Sequence, residues 1–293
     1  MKNSILVLLL QSFAFLPLRV SRALGLGVGH LIYALKLTPV HVTRVNLRRC
    51  HPELSDIAIE QRCKQRMLQL GQAFFETPRV WSSSNAWLQT KILSIEGMDL
   101  LQASLDDDPG TLIIIPHLGN WEVIGLWLSP QTKMTSLYEP PKIAPLGRWI
   151  KSSREKSGAT LVPTDVRGVA ALIKALKRGE TTAILPDQQP GQNSGIVVPF
   201  MGVPVPTMTL VTNLINRSGS RALLATALRE PGGWRLHFLP VSEELYSEDQ
   251  VTAVSALNSD VARLVALAPD QYQWEYKRFR VQPDGSDIYA KDP

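Results

Sequence analysis

His117 and Glu122 stand five residues apart in the stretch Thr111-Leu-Ile-Ile-Ile-Pro-His-Leu-Gly-Asn-Trp-Glu122. An imidazole held by a carboxylate is the base-and-orienter half of a catalytic triad. The carboxylate fixes the ring's tautomer and stabilises the imidazolium that forms when the ring takes a proton. On one continuous helix, five steps would set the two side chains about 140° apart around the axis, so the pair must straddle a turn. The nucleophile has to come from elsewhere: no Gly-x-Ser-x-Gly elbow is present, and Arg217-Ser-Gly-Ser-Arg221 lacks the flanking glycines. A His and a carboxylate without a serine of their own point to a substrate that brings the hydroxyl.

Positioning these groups requires a strand and a turn. Thr111 to Ile115 is an apolar, β-branched run of the kind that forms a strand covered on both faces, and Pro116 ends it. His117 then falls in the loop at the strand's carboxyl end, Gly119 supplies backbone freedom, and Asn120 is a candidate N-cap for the next helix. Glu122 lies in that helix's first turn, from which it is expected to fold back onto the imidazole. Leu185-Pro-Asp187 repeats the pattern of Ile115-Pro-His117. If both strands lie in one parallel sheet, both polar groups emerge at its carboxyl edge, where α/β folds place ligands. Asp187 is therefore a second-site candidate that would position an acceptor or organise basic groups, unless it only bonds local amides. Arg148, Lys151 and Arg154 recur every three residues and form a basic strip on a helix. An arginine fork can bond two phosphate oxygens at once, whereas a solvated helix face is the plainer account of the strip.

The wider chain alternates strand and helix patterns. Strands are expected at 111–115, 134–138, 159–162, 182–185, 196–198, 222–228 and 234–239, and helices at 121–128, 144–157, 166–177, 208–217 and 250–267. This alternation predicts an α/β fold, a mostly parallel central sheet flanked by helices on both faces, with an antiparallel hairpin around Pro231-Gly-Gly233. Ser55 is a candidate N-cap for an amphipathic helix running to about Arg79. Residues 1–37 read as a hydrophobic membrane-anchoring or interfacial segment, and residues 38–293 as the catalytic domain. The uncharged stretch Asn3 to Leu18 is shorter than the roughly 20 residues that span a bilayer core, and no convincing small-x-small cleavage site follows it. Gly25-Leu-Gly-Val-Gly29 lacks a preceding strand, so close helix packing explains it better than dinucleotide binding.

Composition narrows the function class. The 293 residues are 44% apolar, enough for a sizeable core. Thirty-one Lys and Arg against 26 Asp and Glu give +5, a mild excess that suits an anionic membrane surface. No zinc finger, RNA-binding signature or long basic run is present, so nucleic acid is not an expected partner. Cys50 and Cys63, the only cysteines, form neither Cys-x-x-Cys nor a metal-ligand set. No His-Glu-x-x-His helix or phosphate-binding loop implies a metal or a nucleotide.

His117-Leu-Gly-Asn-Trp-Glu122 after an apolar strand resembles the His-x4-Asp/Glu motif of glycerolipid-type acyltransferases, specifically the bacterial lipid A biosynthesis acyltransferase family. Four other segments are similar to that family: Asn46 to Ser55, Pro186 to Gly191, Val198 to Gly202 with Pro206 and Thr207, and Gln271 through Trp274, Tyr276 and Phe279 to Arg280. The resemblance implies an O-acyltransferase that moves a fatty acyl chain from a thioester, on acyl carrier protein, to a hydroxyl of a lipid A precursor. On that reading His117 is the general base and Glu122 orients it. Arg154, Asp187, Gly119 and Asn120 are then the substrate-binding candidates, and the apolar run beside Gly191, Gly195 and Gly202 is a candidate acyl groove. No metal or cofactor is implied beyond the acyl thioester as co-substrate. The implied place is the cytoplasmic face of a bacterial inner membrane. Other glycolipid or lysophospholipid acceptors, and thioester hydrolysis, keep the same chemistry.

Overall fold

Short β-branched runs build the sheet that carries the candidate residues. The computed structural model describes residues 2–106, 109–191, 194–281 and 286–290, with side chains from residue 7 onward. In chain order the strands are β1 (Ile92–Glu96), β2 (Thr111–Ile114), β3 (Met134–Leu137), β4 (Thr160–Val162), β5 (Thr181–Ile184), β6 (Gly195–Phe200), β7 (Val203–Met208), β8 (Arg221–Glu230) and β9 (Gly233–Pro240). The helices are α1 (Lys2–Phe13), α2 (Leu18–Ala34), α3 (Thr38–Cys50), α4 (Asp56–Ser82), α5 (Asn85–Gln89), α6 (Met98–Leu105), α7 (Trp121–Leu128), α8 (Ala144–Lys156), α9 (Val166–Leu176), α10 (Leu210–Ser218) and α11 (Gln250–Leu267).

Seven strands form one sheet in the order β1-β9-β8-β2-β5-β3-β4. Five of them, from β8 to β4, run parallel. β9 returns antiparallel to β8 through the turn at Pro231 to Gly233, and β1 lies parallel to β9. The mostly parallel sheet follows from the β/α alternation, since each parallel neighbour needs a crossover long enough for a helix. Sequence periodicity missed β1, and it placed 196–198 among the core strands. That segment instead forms a separate two-stranded hairpin, β6 with β7.

Alternate strand residues feed two apolar layers. Leu112, Ile114 and Leu224 pack with Leu172 of α9, Leu214 of α10 and Leu257 of α11. Ile113, Ile115 and Ala225 pack on the other face with Val123 and Trp127 of α7 and Leu101 of α6. Each fully buried Leu or Ile contributes about 1.5–3 kcal/mol relative to exposure, so a helix on either face is the favourable outcome of a strand that is apolar throughout.

The amino-terminal helices pack onto α4. Ser55 caps α4, its hydroxyl accepting from Ala58 N at 3.3 Å. At the α2–α4 contact a Cβ on Gly71 would stand 2.0 Å from the Gly25 carbonyl oxygen, and one on Gly29 would stand 2.4 Å from the Met67 carbonyl. The two backbones touch, as the glycine spacing suggested. Arg22 of α2 is 8% exposed; it donates to Glu76 of α4 at 2.7 Å and to the Glu230 and Gly233 carbonyls at 2.6 and 2.9 Å. Among the described residues no single helix is long and apolar enough to cross a membrane, and α2 and α3 meet at 78°. Leu8, Leu9, Phe15, Val20, Leu24, Leu31 and Leu35 nonetheless leave their side chains exposed.

Candidate active site

Register explains the site. β2 and β5 pair in parallel with Leu112 opposite Thr182 and Ile114 opposite Ile184, an offset of 70 residues. Continued three residues past the strand ends, the same offset sets His117 opposite Asp187. The Asp187 carboxylate takes two bonds from His117: the backbone N–H donates to Oδ2 at 2.9 Å, and ring Nδ1 meets Oδ1 at 2.8 Å. A carboxylate only accepts, so Nδ1 carries a proton, and in the neutral ring Nε2 then keeps its lone pair. The Gln188 side-chain amide donates toward that nitrogen at 3.2 Å and also donates to Gln273 Oε1 at 3.0 Å. An incoming hydroxyl would replace the Gln188 amide at Nε2.

Asp187 is 4% exposed. Burial works to raise its pKa, but the His117 charge and the two bonds from His117, with a smaller contribution from Arg278, outweigh that and hold it below the usual carboxylate range. Tyr272, also buried, has its phenol pushed well above its ordinary value, first by burial and then by the Asp187 charge.

Glu122 does not fold back onto the imidazole as expected. The chain turns at Gly119, whose φ is +65° and where a Cβ would come 2.1 Å from the Ala227 carbonyl oxygen. α7 starts at Trp121, and the Trp121 ring lies edge-on to His117 with centroids 4.8 Å apart. Glu122, one residue further round the first turn, accepts instead from Arg154 of α8, at Oε1 from Nη2 at 2.6 Å and at Oε2 from Nε at 3.1 Å. The sequence motif thus supplies the imidazole, while the acid bonded to it comes from the neighbouring strand's end. Arg154 has its basicity raised; burial alone would lower it, but the Glu122 charge and hydrogen bonds dominate. Of the expected basic strip, Arg148 is exposed, and Lys151 makes only a 3.6 Å pair with the exposed Glu155.

Asn120 stands at the N-cap position of α7 as expected, but its side chain makes no capping bond there. Its side chain, 3% exposed, donates to Glu76 Oε1 at 3.0 Å. Glu76 is fully buried and also accepts from Arg22 and from Nε and Nη2 of Arg229 at 3.0 and 2.7 Å. Burial would raise its pKa, yet Arg229 and Arg22 hold it below the ordinary range. The loop's backbone is equally committed. Gly119 N donates to the Gln271 carbonyl at 3.2 Å, Asn120 N to the Ala227 carbonyl at 2.9 Å, and the His117 carbonyl accepts from Gln273 N at 3.0 Å.

The Glu122–Arg154 pair stands at a cavity of ≈ 80 Å³ that Trp121, the ring edge-on to His117, also lines. Ile115, Trp121, Gly125, Leu126, Leu161 and Leu185 are among its lining. This apolar space lies between α7 and the β3–β4–β5 end of the sheet. The glycine-bearing segment expected to line an acyl groove is elsewhere, with β6 against α11 and Asn258 bonded to the Pro199 carbonyl at 2.9 Å. The carboxyl-terminal aromatic and basic run is largely buried: Trp274, Arg278 and Phe279 are 2%, 3% and 1% exposed. Gln188, Gln273 and Glu76 carried no local signal in the sequence, because their partners lie 71, 85 and 44 residues away.

Among the described residues no group of His, Cys, Asp and Glu could hold a metal ion. The arrangement can do one thing well: accept a proton at Nε2 of a ring whose tautomer is set by a buried carboxylate, next to an apolar cavity.

Known proteins match this chain along most of its length. A palmitoleoyltransferase of lipid A biosynthesis from Escherichia coli is 28% identical over 280 residues, covering 94% of this chain and 90% of that one. A lipid A biosynthesis lauroyltransferase from the same organism is 26% identical over 277 residues, covering 92% and 88%. A phosphatidylinositol mannoside acyltransferase of Mycobacterium tuberculosis is 25% identical over 178 residues, covering 60% and 56%. The model of the bacterial lipid A biosynthesis acyltransferases matches residues 2–281, and it is to this family of acyltransferases that the chain belongs.

Proposed function

We propose that this acyltransferase moves a fatty acyl chain from a thioester, carried by acyl carrier protein, to a hydroxyl of a lipid A precursor. The observation that carries the reading is the bond from His117 Nδ1 to buried Asp187, which leaves Nε2 as the proton acceptor at the edge of the sheet. His117 removes the hydroxyl proton as that oxygen attacks the thioester carbonyl. The carbon–sulfur bond breaks, and the thiol leaves with a proton returned from the ring. Asp187 holds the tautomer and balances the imidazolium. The acyl chain lies in the cavity below Trp121, and the Glu122–Arg154 pair fixes a guanidinium at its mouth for a phosphate of the acceptor or of the donor's arm. No acyl-enzyme is required, and no metal or other cofactor takes part.

The exposed leucines of α1 and α2, with Phe15 between the two helices, favour an interfacial anchor on the cytoplasmic face of the inner membrane, where the surplus positive charge meets anionic lipid. The match to phosphatidylinositol mannoside acyltransferase supports a second reading in which only the acceptor differs. Purified enzyme given one acyl-carrier thioester and either acceptor, with products read by mass spectrometry, decides between them. His117→Ala is expected to lower transfer at least about a hundredfold. Unchanged transfer would end the general-base reading, and full-rate thioester loss without any acceptor would make the protein a thioesterase.

A further inference from the structure

Behind the Asp187 carboxylate lies a guanidinium that the chemistry above does not use. Arg278 is 3% exposed, and its Nε and Nη1 have no hydrogen-bond partner in the protein. Its Nη2 reaches Thr207 Oγ1 and Asn258 Oδ1 only at 3.4 Å each, and its Cζ stands 5.5 Å from the Phe200 ring centroid. A buried arginine with so few bonds is expensive unless a negative charge is near. Arg278, Asp187, Gln188 and Tyr272 line one small cavity of ≈ 10 Å³, room for about one water molecule. Such a water would give the guanidinium N–H groups an acceptor.

Charge balance gives this placement a purpose. Before proton transfer the His117 ring is neutral, and the hydrogen bonds to Asp187 come from uncharged donors, the His117 backbone N–H, its ring and the Tyr272 phenol. A buried carboxylate facing only uncharged donors holds a proton more tightly than one beside a cation, and a protonated Asp187 neither fixes the tautomer nor balances an imidazolium. We infer that Arg278 is the positioning residue that keeps Asp187 ionised opposite neutral His117, acting across the small cavity that both side chains line. The inference rests on His117 being the base. Tyr272, Cys50 and Tyr289 beside the pair keep their charge between about pH 5 and 9, and the His51 ring stands 5.7 Å from that of Trp274, which lines the cavity. Tyr272 is held neutral by burial. The Cys50 thiol and the Tyr289 phenol are both pushed up to about 12, chiefly by burial. Arg49 acts on those two groups, and Arg66 is paired with Glu275 at 2.7 Å.

The test uses the full chain with a thioester donor and a lipid acceptor. Arg278→Met removes a positive charge from a coupled pair that binds protons, so the pair holds its protons more tightly, whichever member carries them. The acid limb of the kcat profile is expected to move up by about one pH unit, so that kcat on the limb falls by up to about tenfold, with KM for the thioester little changed. Arg278→Lys keeps the charge and should restore the limb. A limb that stays in place in Arg278→Met, whatever happens to the rate, overturns the inference and leaves a purely structural arginine. Should Arg278→Met fold poorly, the Asp187→Asn/Arg278→Met double variant removes both charges. It is expected to melt above either single variant, and a melting point lowered by the sum of the two single effects counts against the pairing. Full activity in His117→Ala would sink the base itself, a result distinct from either of these.

Discussion

Asp187→Asn isolates the charge of the acid from its shape. The native carboxylate accepts twice from one residue, from the His117 backbone N–H at 2.9 Å and from ring Nδ1 at 2.8 Å. An asparagine has one accepting oxygen and one donating nitrogen, so it cannot serve both. If its oxygen faces the ring, its NH2 group confronts the backbone N–H, a buried donor against a donor that costs about 1–3 kcal/mol. If its NH2 group faces the ring, Nδ1 must accept, the ring proton moves to Nε2, and the nitrogen that should take the acceptor's proton is already occupied. The first arrangement also loses the charge that stabilises the imidazolium. Either way the loss falls on the transition state, and kcat is expected to drop by about 10²–10⁴, or about 3–5 kcal/mol. Initial rates of acyl transfer from a thioester to a lipid A precursor measure it, with thermal unfolding as the control for folding. A variant that folds like the parent and works within about threefold of its rate would refute the assignment of Asp187 as the partner of the base.

Glu122→Gln and Arg154→Met each break a two-bond ion pair whose members are 8% and 28% exposed. Each is expected to lower kcat/KM by about 10–100-fold, with the double variant little worse than either single one; additive losses would separate the two residues. An added Cβ at Gly125 meets open space, and the residue lines the cavity below Trp121. Gly125→Leu should therefore shift donor preference toward shorter acyl chains in a competition assay, and an unchanged preference would remove the chain from that cavity. Asp187 and Glu76 both titrate below the ordinary carboxylate range in the fold. Their contribution to stability is complete above the unfolded values near about pH 4 and is lost as the pH falls from there through the folded ones. Urea unfolding of the parent should weaken more steeply from about pH 5 to about pH 3 than that of Asp187→Asn, and parallel decay would contradict it.

The elements that obey a local rule were legible in the chain. β-branched runs ended by proline, a serine before an amphipathic repeat and a Pro-Gly-Gly turn mark β2, α4 and the β8–β9 hairpin because each rests on contacts a few residues apart. β1 was not legible, since Ile92–Glu96 is half exposed at a sheet edge and shows no clean alternation. The same divide runs through the site. His117 could be found from its strand and proline, but which acid it meets depends on where α7 leaves the turn. Gly119 sends the helix onto one face of the sheet, so Glu122 points along α7 to Arg154 although it is close in sequence.

What the chain did hold was a repeated phrase, Ile-Pro-His at 115–117 and Leu-Pro-Asp at 185–187. Two strands that end alike and pair in parallel without a shift bring their following residues to one level. The residue-for-residue register of β2 with β5 turns that repetition into a hydrogen bond. The distinction matters for catalysis because a helix-borne acid can move with its helix, whereas His117 and Asp187 extend from adjacent strands of one buried ladder. On the proposed mechanism, the strand ends hold the imidazole's partner where proton transfer needs it, before any substrate arrives. Arg278 extends the same logic to a third segment: it reaches the pair from a carboxyl-terminal run that packs under the sheet's edge, a placement that only the assembled fold creates.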